Sequence, residues 1–136
     1  MVRWASVPMM LVPEELHYSE DHQWVRVEGD VLRVGITHYA QEALGEVTMV
    51  ALVDAGQAVA AGDEMGEVEA FKAMTDLYMP VDATVVEHNG SLNAAPGQIN
   101  TDPYGEGWLC VVRPSAALDV DALLDAAGYR SLIGCA

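Results

Sequence analysis

Basic side chains are scarce in this chain of 136 residues, where 6 lysines and arginines face 21 aspartates and glutamates for a formal charge of −15. Such a balance repels phosphate backbones and leaves no basic stripe, which sets DNA and RNA aside as partners. Five of the bases are arginines (Arg3, Arg26, Arg33, Arg113 and Arg130), so Lys72 is the only lysine, although lysine is normally among the commonest residues. Cysteine is scarce too. Cys110 lies in an apolar run and Cys135 next to the last residue, a pattern that matches neither a secreted disulfide framework nor a CxxC metal pair. A reducing cytoplasm is the simplest compartment. No apolar run approaches the roughly 18 to 20 residues that a bilayer-spanning helix needs, so no membrane partner is expected. Met1 to Val12 is mostly apolar, but Pro8 interrupts it and no A-x-A-like site follows, which makes it a weak signal peptide.

What is present points to one packed domain. Hydrophobic residues make up 51% of the chain, enough for a core without disulfide or metal staples. Trp24 to Glu28 and Val31 to Ile36 alternate apolar and polar residues around Gly29-Asp30, which predicts a β-hairpin. Thr37 is placed to cap a short helix through Ala40, Ala43 and Leu44, with Gly45 as its stop. Val47 to Val53 reads as a strand, followed by turn chemistry at Ala55-Gly56 and Ala61-Gly62-Asp63. Met65 to Phe71 and Met74 to Val81 read as two strands that meet at Lys72-Ala73, so the lysine projects from a hairpin tip. Ala83 to His88 and Trp108 to Arg113 are further strands, separated by a turn-rich segment from Asn89-Gly90 to Asp102-Pro103. Asp119 or Asp121 opens an amphipathic helical segment through Leu123-Leu124 to Gly128, with Tyr129, Leu132 and Ile133 beyond. Together these predict a mostly β sandwich or flattened barrel with short peripheral and C-terminal helices.

Few residues assemble into a catalytic pattern. His17, His22, His38 and His88 are scattered without HxxxH or HExxH spacing, and neither a GxSxG elbow nor a phosphate loop occurs. Packing or surface histidines are the expected reading, with no metal site. Glu67 and Glu69 alternate onto one strand face and Asp76 follows the turn, so three carboxylates are expected around the lysine. No nucleophile with a matched base accompanies them, so no catalytic residue is assigned. Lys72 stands apart because a single amine at a hairpin tip is a unique target for enzymatic acylation, which removes its charge and lengthens the side chain into a tether.

Beyond these patterns, the chain resembles the H-protein family of the glycine cleavage system from about Val12 to Leu132. The landmarks are His22-Gln23-Trp24-Val25, Val34-Gly35-Ile36-Thr37, Ala40-Gln41 ahead of Leu44-Gly45, and Gly66 to Ala73 followed by Asp76 and Tyr78-Met79-Pro80-Val81. The most specific is Asn100-Thr101-Asp102-Pro103-Tyr104-Gly105-Glu106-Gly107-Trp108-Leu109. The resemblance implies a lipoyl-domain-like barrel-sandwich hybrid, with residues 1–11 an N-terminal extension, 12–133 a single lipoyl-carrier domain and 134–136 a tail. It implies lipoate held covalently on Lys72 as lipoyl-lysine, attached by a lipoyl ligase or lipoyl transferase. It implies a carrier without catalysis of its own, taking an aminomethyl group from glycine decarboxylase to an aminomethyltransferase and reducing equivalents to dihydrolipoyl dehydrogenase. Sulfur exchange belongs to the lipoyl group, and neither Cys110 nor Cys135 is needed for it.

The same resemblance marks several departures. The family's cleft holds the cationic amine of the loaded arm with a glutamate between the His and Trp of the early motif and an aspartate four residues after the lysine. Asp76 matches the second position, whereas Gln23 is neutral and loses the charge-assisted part of the contact. Ala70 and Phe71 replace a common serine and a smaller neighbour before the lysine. Gly56 stands sixteen residues before Lys72 as in lipoyl domains, but Ala83 replaces the glycine expected eleven residues after it, which calls for a different backbone angle or local strain. These changes define an alternative, a diverged H-like lipoyl carrier for another lipoate-dependent system such as sulfur oxidation. A biotin carrier usually sets its lysine between two methionines, whereas Lys72 sits between Phe71 and Ala73. An unmodified scaffold module would not account for a lone retained lysine.

Overall fold

The computed structural model describes residues 11–116 and 122–134. In chain order the strands are β1 (His17–Tyr18), β2 (Gln23–Glu28), β3 (Val31–Ile36), β4 (Val47–Leu52), β5 (Ala58–Val59), β6 (Glu64–Ala70), β7 (Met74–Tyr78), β8 (Ala83–His88) and β9 (Cys110–Pro114). The helices are α1 (His38–Leu44), α2 (Gln98–Thr101) and α3 (Ala126–Ile133), with a 3-10 turn at Gly90–Asn93. One sheet has the order β1-β2-β3-β9-β8-β5 and the other β4-β6-β7, all pairs antiparallel. The result is the mostly β, two-sheet architecture expected from the sequence.

Period-two alternation builds the first sheet. β2 and β3 pair from Gln23↔Ile36 to Glu28↔Val31, and Gly29 takes the positive φ of 67° that so tight a turn requires. The inward residues Val25, Val34 and Val112 of this sheet meet Met65, Val68 and Leu77 of the other in one buried cluster. A second cluster at one end gathers Leu16, Tyr18, Trp24, Ala126 and Tyr129, with Tyr18 and Tyr129 stacked 4.7 Å apart. Each fully buried large side chain here contributes about 1.5–3 kcal/mol.

Where local signals were strong, the elements follow them. Thr37 caps α1 by accepting from the Ala40 N–H, and Gly45 ends it at φ 82°. The structure differs at elements whose signal was weak or competing. β1 and β5 are two residues long, too short to carry a period. The turn-rich segment holds the 3-10 turn and α2. At the C-terminus the helix starts later than the sequence suggests: Asp125 is its N-cap, its carboxylate accepting from the Gly128 N–H at 2.8 Å, so Gly128 lies in the first turn rather than at the end. Leu124 instead exchanges two backbone hydrogen bonds of 2.8 Å with Tyr18. Asp119 and Asp121 lie outside the described residues. Ala83 carries no strain: it is a buried strand residue opposite Val59 and Pro114, and His22 is the one non-glycine residue with positive φ among those described. Gly56 does need its residue type, at φ 95°.

Candidate functional site: a tethered lysine beside a cleft

The β6–β7 hairpin carries Lys72 outward at its tip, where the Ala70 N–H donates to the Ala73 carbonyl at 2.8 Å and closes the turn. The Phe71 N–H donates to Glu46 O at 3.0 Å and ties the tip to the segment ahead of β4. Lys72 is exposed, and among the described residues it makes no ion pair. Its stem crosses Gly45, so close that a Cβ on Gly45 would stand 2.6 Å from Lys72 Cε. Gly45 is fixed by its positive φ of 82°, and the flexible end of the lysine rests over it. The ammonium lies at the C-terminal end of α1, where the helix dipole favours a cation.

The late motif builds this seat from beneath. Asn100 donates to the Gly45 carbonyl at 2.8 Å and to Gln41 Oε1 at 3.0 Å, and accepts from the Val47 N–H at 2.9 Å, joining the end of α1 to the start of β4. Pro103 O accepts from Trp24 Nε1 at 2.9 Å, and Tyr104 O accepts from Arg26 at 2.9 Å. The Trp24 ring lies flush on Gly35, where a Cβ would meet it at 2.5 Å. The motif's specificity is thus the specificity of a brace. Tyr104 adds to it, its hydroxyl accepting from the His38 N–H while burial raises its pKa to about 12.

Beside the tip, α1, β7 and the turn ahead of β2 enclose a cleft of about 140 Å³. Its polar wall is Asp21, His22, Tyr39, Thr75 and Asp76, and its floor is Ile36, Leu44 and Leu77. Of the residues expected here from sequence, Asp76 lies on the wall, exposed and within 3.5 Å of the Tyr78 hydroxyl, whose pKa is raised chiefly by the Asp76 charge. Gln23 is buried behind that wall. Its Nε2 donates to the Tyr78 carbonyl at 2.6 Å and its Oε1 accepts from the Tyr78 N–H at 2.9 Å, so the amide clamps β2 to the end of β7.

The carboxylate grouping also differs in membership. Register pairs Glu67 with Asp76 but Glu69 with Met74, and the acids whose oxygens come within 4.8 Å of one another are Glu64, Glu67 and Asp76. The group contains no histidine. His22 is nonetheless more than filler. It sits at φ 65°, its ring centroid 4.8 Å from that of Tyr39, and its Nδ1 is 2.9 Å from the Tyr129 hydroxyl, itself 2.7 Å from Thr37 Oγ1. Burial lowers its pKa, so it presents a neutral imidazole to the cleft. The sequence reading missed Asp21, Tyr39 and this role of His22. The early motif pointed to the place, but a left-handed histidine has no local signature stronger than the tolerance of short polar side chains for that region. Cys110 is buried, its pKa pushed up to about 12, and cannot supply a thiolate.

Comparison with known proteins gives the family of the whole chain. The sequence model described as "Glycine cleavage H-protein" matches residues 16–134. The chain is similar to the glycine cleavage system H protein of Mycolicibacterium smegmatis, at 51% identity over 92% of this chain and 98% of that one. It is similar also to that of Bacteroides fragilis, at 45% identity over 91% of this chain and 98% of the other. The crystal structure of a glycine cleavage system H protein from Mycobacterium marinum superposes with a TM-score of 0.82 at 40% identity, covering 90% of this chain and 99% of that chain. A two-sheet fold that offers one exposed lysine beside a cleft, matched over nearly its whole length, places this chain in the glycine cleavage H-protein family, the carrier component of the glycine cleavage system.

Proposed function

We propose that Lys72 is the attachment point of lipoate and that the chain acts as a carrier without catalysis of its own. In this reading it takes the aminomethyl group from glycine decarboxylase to the aminomethyltransferase and reducing equivalents to dihydrolipoyl dehydrogenase. Residues 12–133 make up the carrier domain, 1–11 an extension and 134–136 a tail, and the cytoplasm is its place. The observation that carries the reading is the position of the only lysine: exposed, unpaired among the described residues, and held at a hairpin tip by Gly45, Glu46 and Asn100. The amine is open to a lipoyl ligase or transferase, and a group bound there swings from a fixed base.

When bound, lipoate supplies the disulfide and thiol chemistry that takes up the cargo and the electrons. The chain's own residues position and shelter that end. Asp76 offers a carboxylate to the cationic amine, the floor of Ile36, Leu44 and Leu77 excludes water, and neutral His22 avoids repelling a cation. Gln23 takes part as the clamp that holds Tyr78 beside Asp76. Nothing in the fold or the comparisons favours the sulfur-oxidation alternative. Reconstitution with the three partner enzymes tests the reading: fully lipoylated protein is expected to support glycine–bicarbonate exchange, and its absence would count for a carrier of another system.

A further inference from the structure

Two buried hydroxyl groups join the C-terminal helix to His22, and the carrier reading leaves them without a task. We infer that Tyr129 is a positioning residue: its hydroxyl donates to His22 Nδ1 and so fixes the tautomer in which His22 turns a neutral Nε2–H outward, to the arm. What concerns the arm rests on the reading of Lys72 as lipoyl-lysine; the tautomer does not.

Only one placement of the hydrogens satisfies every group. Thr37 and Tyr129 are both 0% exposed, so their hydroxyls need acceptors within the protein. Thr37 Oγ1 accepts from the Ala40 N–H at 3.2 Å. Among the described residues, the acceptor within reach of its own hydrogen is the Tyr129 oxygen at 2.7 Å. Tyr129 must then pass its hydrogen on, and His22 Nδ1 at 2.9 Å receives it. A relay therefore runs from Ala40 through Thr37 and Tyr129 to a bare Nδ1, and a neutral ring with a bare Nδ1 carries its proton on Nε2. The reverse order, with Nδ1–H donating to Tyr129 and Tyr129 to Thr37, leaves the Thr37 O–H buried without an acceptor, which is costly.

The ring is held in place as well as in tautomer. The Thr37 N–H donates to the His22 carbonyl at 3.0 Å, and the His22 N–H to Ser19 O at 3.2 Å. Tyr39 lies against the ring at 4.8 Å between centroids, and Tyr129 meets it edge-on at 5.7 Å. Nε2 bonds to no described residue and is not shut away from solvent, so it opens toward the cleft that His22 lines. The titratable groups facing the ring are Asp21 on its own turn, Tyr39 from α1, Tyr129 from α3 and Asp76 from β7 across the cleft. Burial outweighs the Asp21 charge and holds the imidazole below its ordinary pKa. Protonation would also reverse the relay and orphan Thr37, which opposes it further. An uncharged donor here meets the acceptor atoms of a tethered group, its amide carbonyl or its sulfur, without repelling a cationic cargo.

Long-range nitrogen–proton NMR correlations of the imidazole rings test the tautomer in the unmodified protein, at about pH 8, above the range where a histidine ordinarily titrates. His22 is assigned by the signals lost in His22→Asn. Wild type is expected to show a protonated Nε2 and a bare Nδ1. Thr37→Ser, which keeps the hydroxyl, is expected to preserve that pattern. Tyr129→Phe is expected to move both nitrogen shifts toward each other, as a mixture of tautomers. A proton on Nδ1 in wild type, or a folded Tyr129→Phe with the wild-type pattern, overturns the proposal. The arm is tested separately: loading the lipoylated protein with the aminomethyl group is expected to shift the Nε2–H signal and slow its exchange with water. An Nε2–H unmoved by loading overturns its part toward the arm. Failure of Lys72 to accept lipoate would instead remove the functional reading, while the tautomer still stands or falls on the unmodified protein.

Discussion

At the scale of single residues, the site depends on groups whose neighbours leave them one conformation. Gln23→Glu swaps the Nε2 that donates to the Tyr78 carbonyl for an oxygen, setting two acceptors 2.6 Å apart. The variant is expected to lose about 1–3 kcal/mol, read as a lower denaturant midpoint at unchanged slope. His22 gives a pH dependence with a definite sign. Its folded pKa lies below the unfolded value of 6.5, so the folded state prefers the neutral ring. Above pH 6.5 the stabilisation is complete. As pH falls through 6.5 the unfolded chain takes up the proton first and stability declines, levelling off once pH is below the folded pKa. Thermal melts between pH 8 and 5 should show that decline, and it should shrink in His22→Asn. Lys72, Asp76 and the early motif could be found in the sequence because each carries chemistry in its residue type. The engagement of Gln23 by Tyr78 and the positive φ of His22 could not, because they depend on a strand 55 residues away and on a turn that neither glycine nor asparagine announces.

At the scale of elements, the most informative are those that brace others. Asn100 ties the end of α1 to the start of β4 by three hydrogen bonds, directly under the lysine. Asn100→Ala is expected to cost about 2 kcal/mol and to loosen the seat of Lys72 as well as the fold, visible as faster amide exchange at Gly45 and Val47. α3 acts from the other end of the chain. Its Tyr129 hydroxyl bridges Thr37, the cap of α1, and His22 on the cleft wall. Tyr129→Phe leaves both without that partner, and a loss of about 1–2 kcal/mol is expected in chemical denaturation. The hairpin of β2 and β3, the capped α1 and the β6–β7 hairpin were legible because period, cap and stop residues agree there. The start of α3 was not: Asp125 caps it next to the Leu124–Tyr18 bridge and the stacked Tyr18 and Tyr129 rings, contacts with a strand more than a hundred residues earlier that no local pattern announces.

At the scale of the whole molecule, acidity and a single lysine combine into one property. Acylating Lys72 takes the formal charge from −15 to −15 − 1 = −16, so the carrier form presents no lysine cation at all. A chain of this charge meets basic partner surfaces by long-range attraction, which salt screens. Transfer from glycine decarboxylase is therefore expected to show a KM that rises with ionic strength while kcat changes little. A KM indifferent to salt would make the acidity a matter of solubility alone. The exposed Phe71 and Met74 beside Lys72 are the apolar part of the same presenting surface.

The proposed modification of Lys72 underlies all of this, and intact-mass analysis after treatment with a lipoyl ligase tests it most directly. Wild type is expected to gain one lipoyl adduct and Lys72→Arg none; an adduct that persists in Lys72→Arg, or a wild type that takes none while folded, would contradict the assignment.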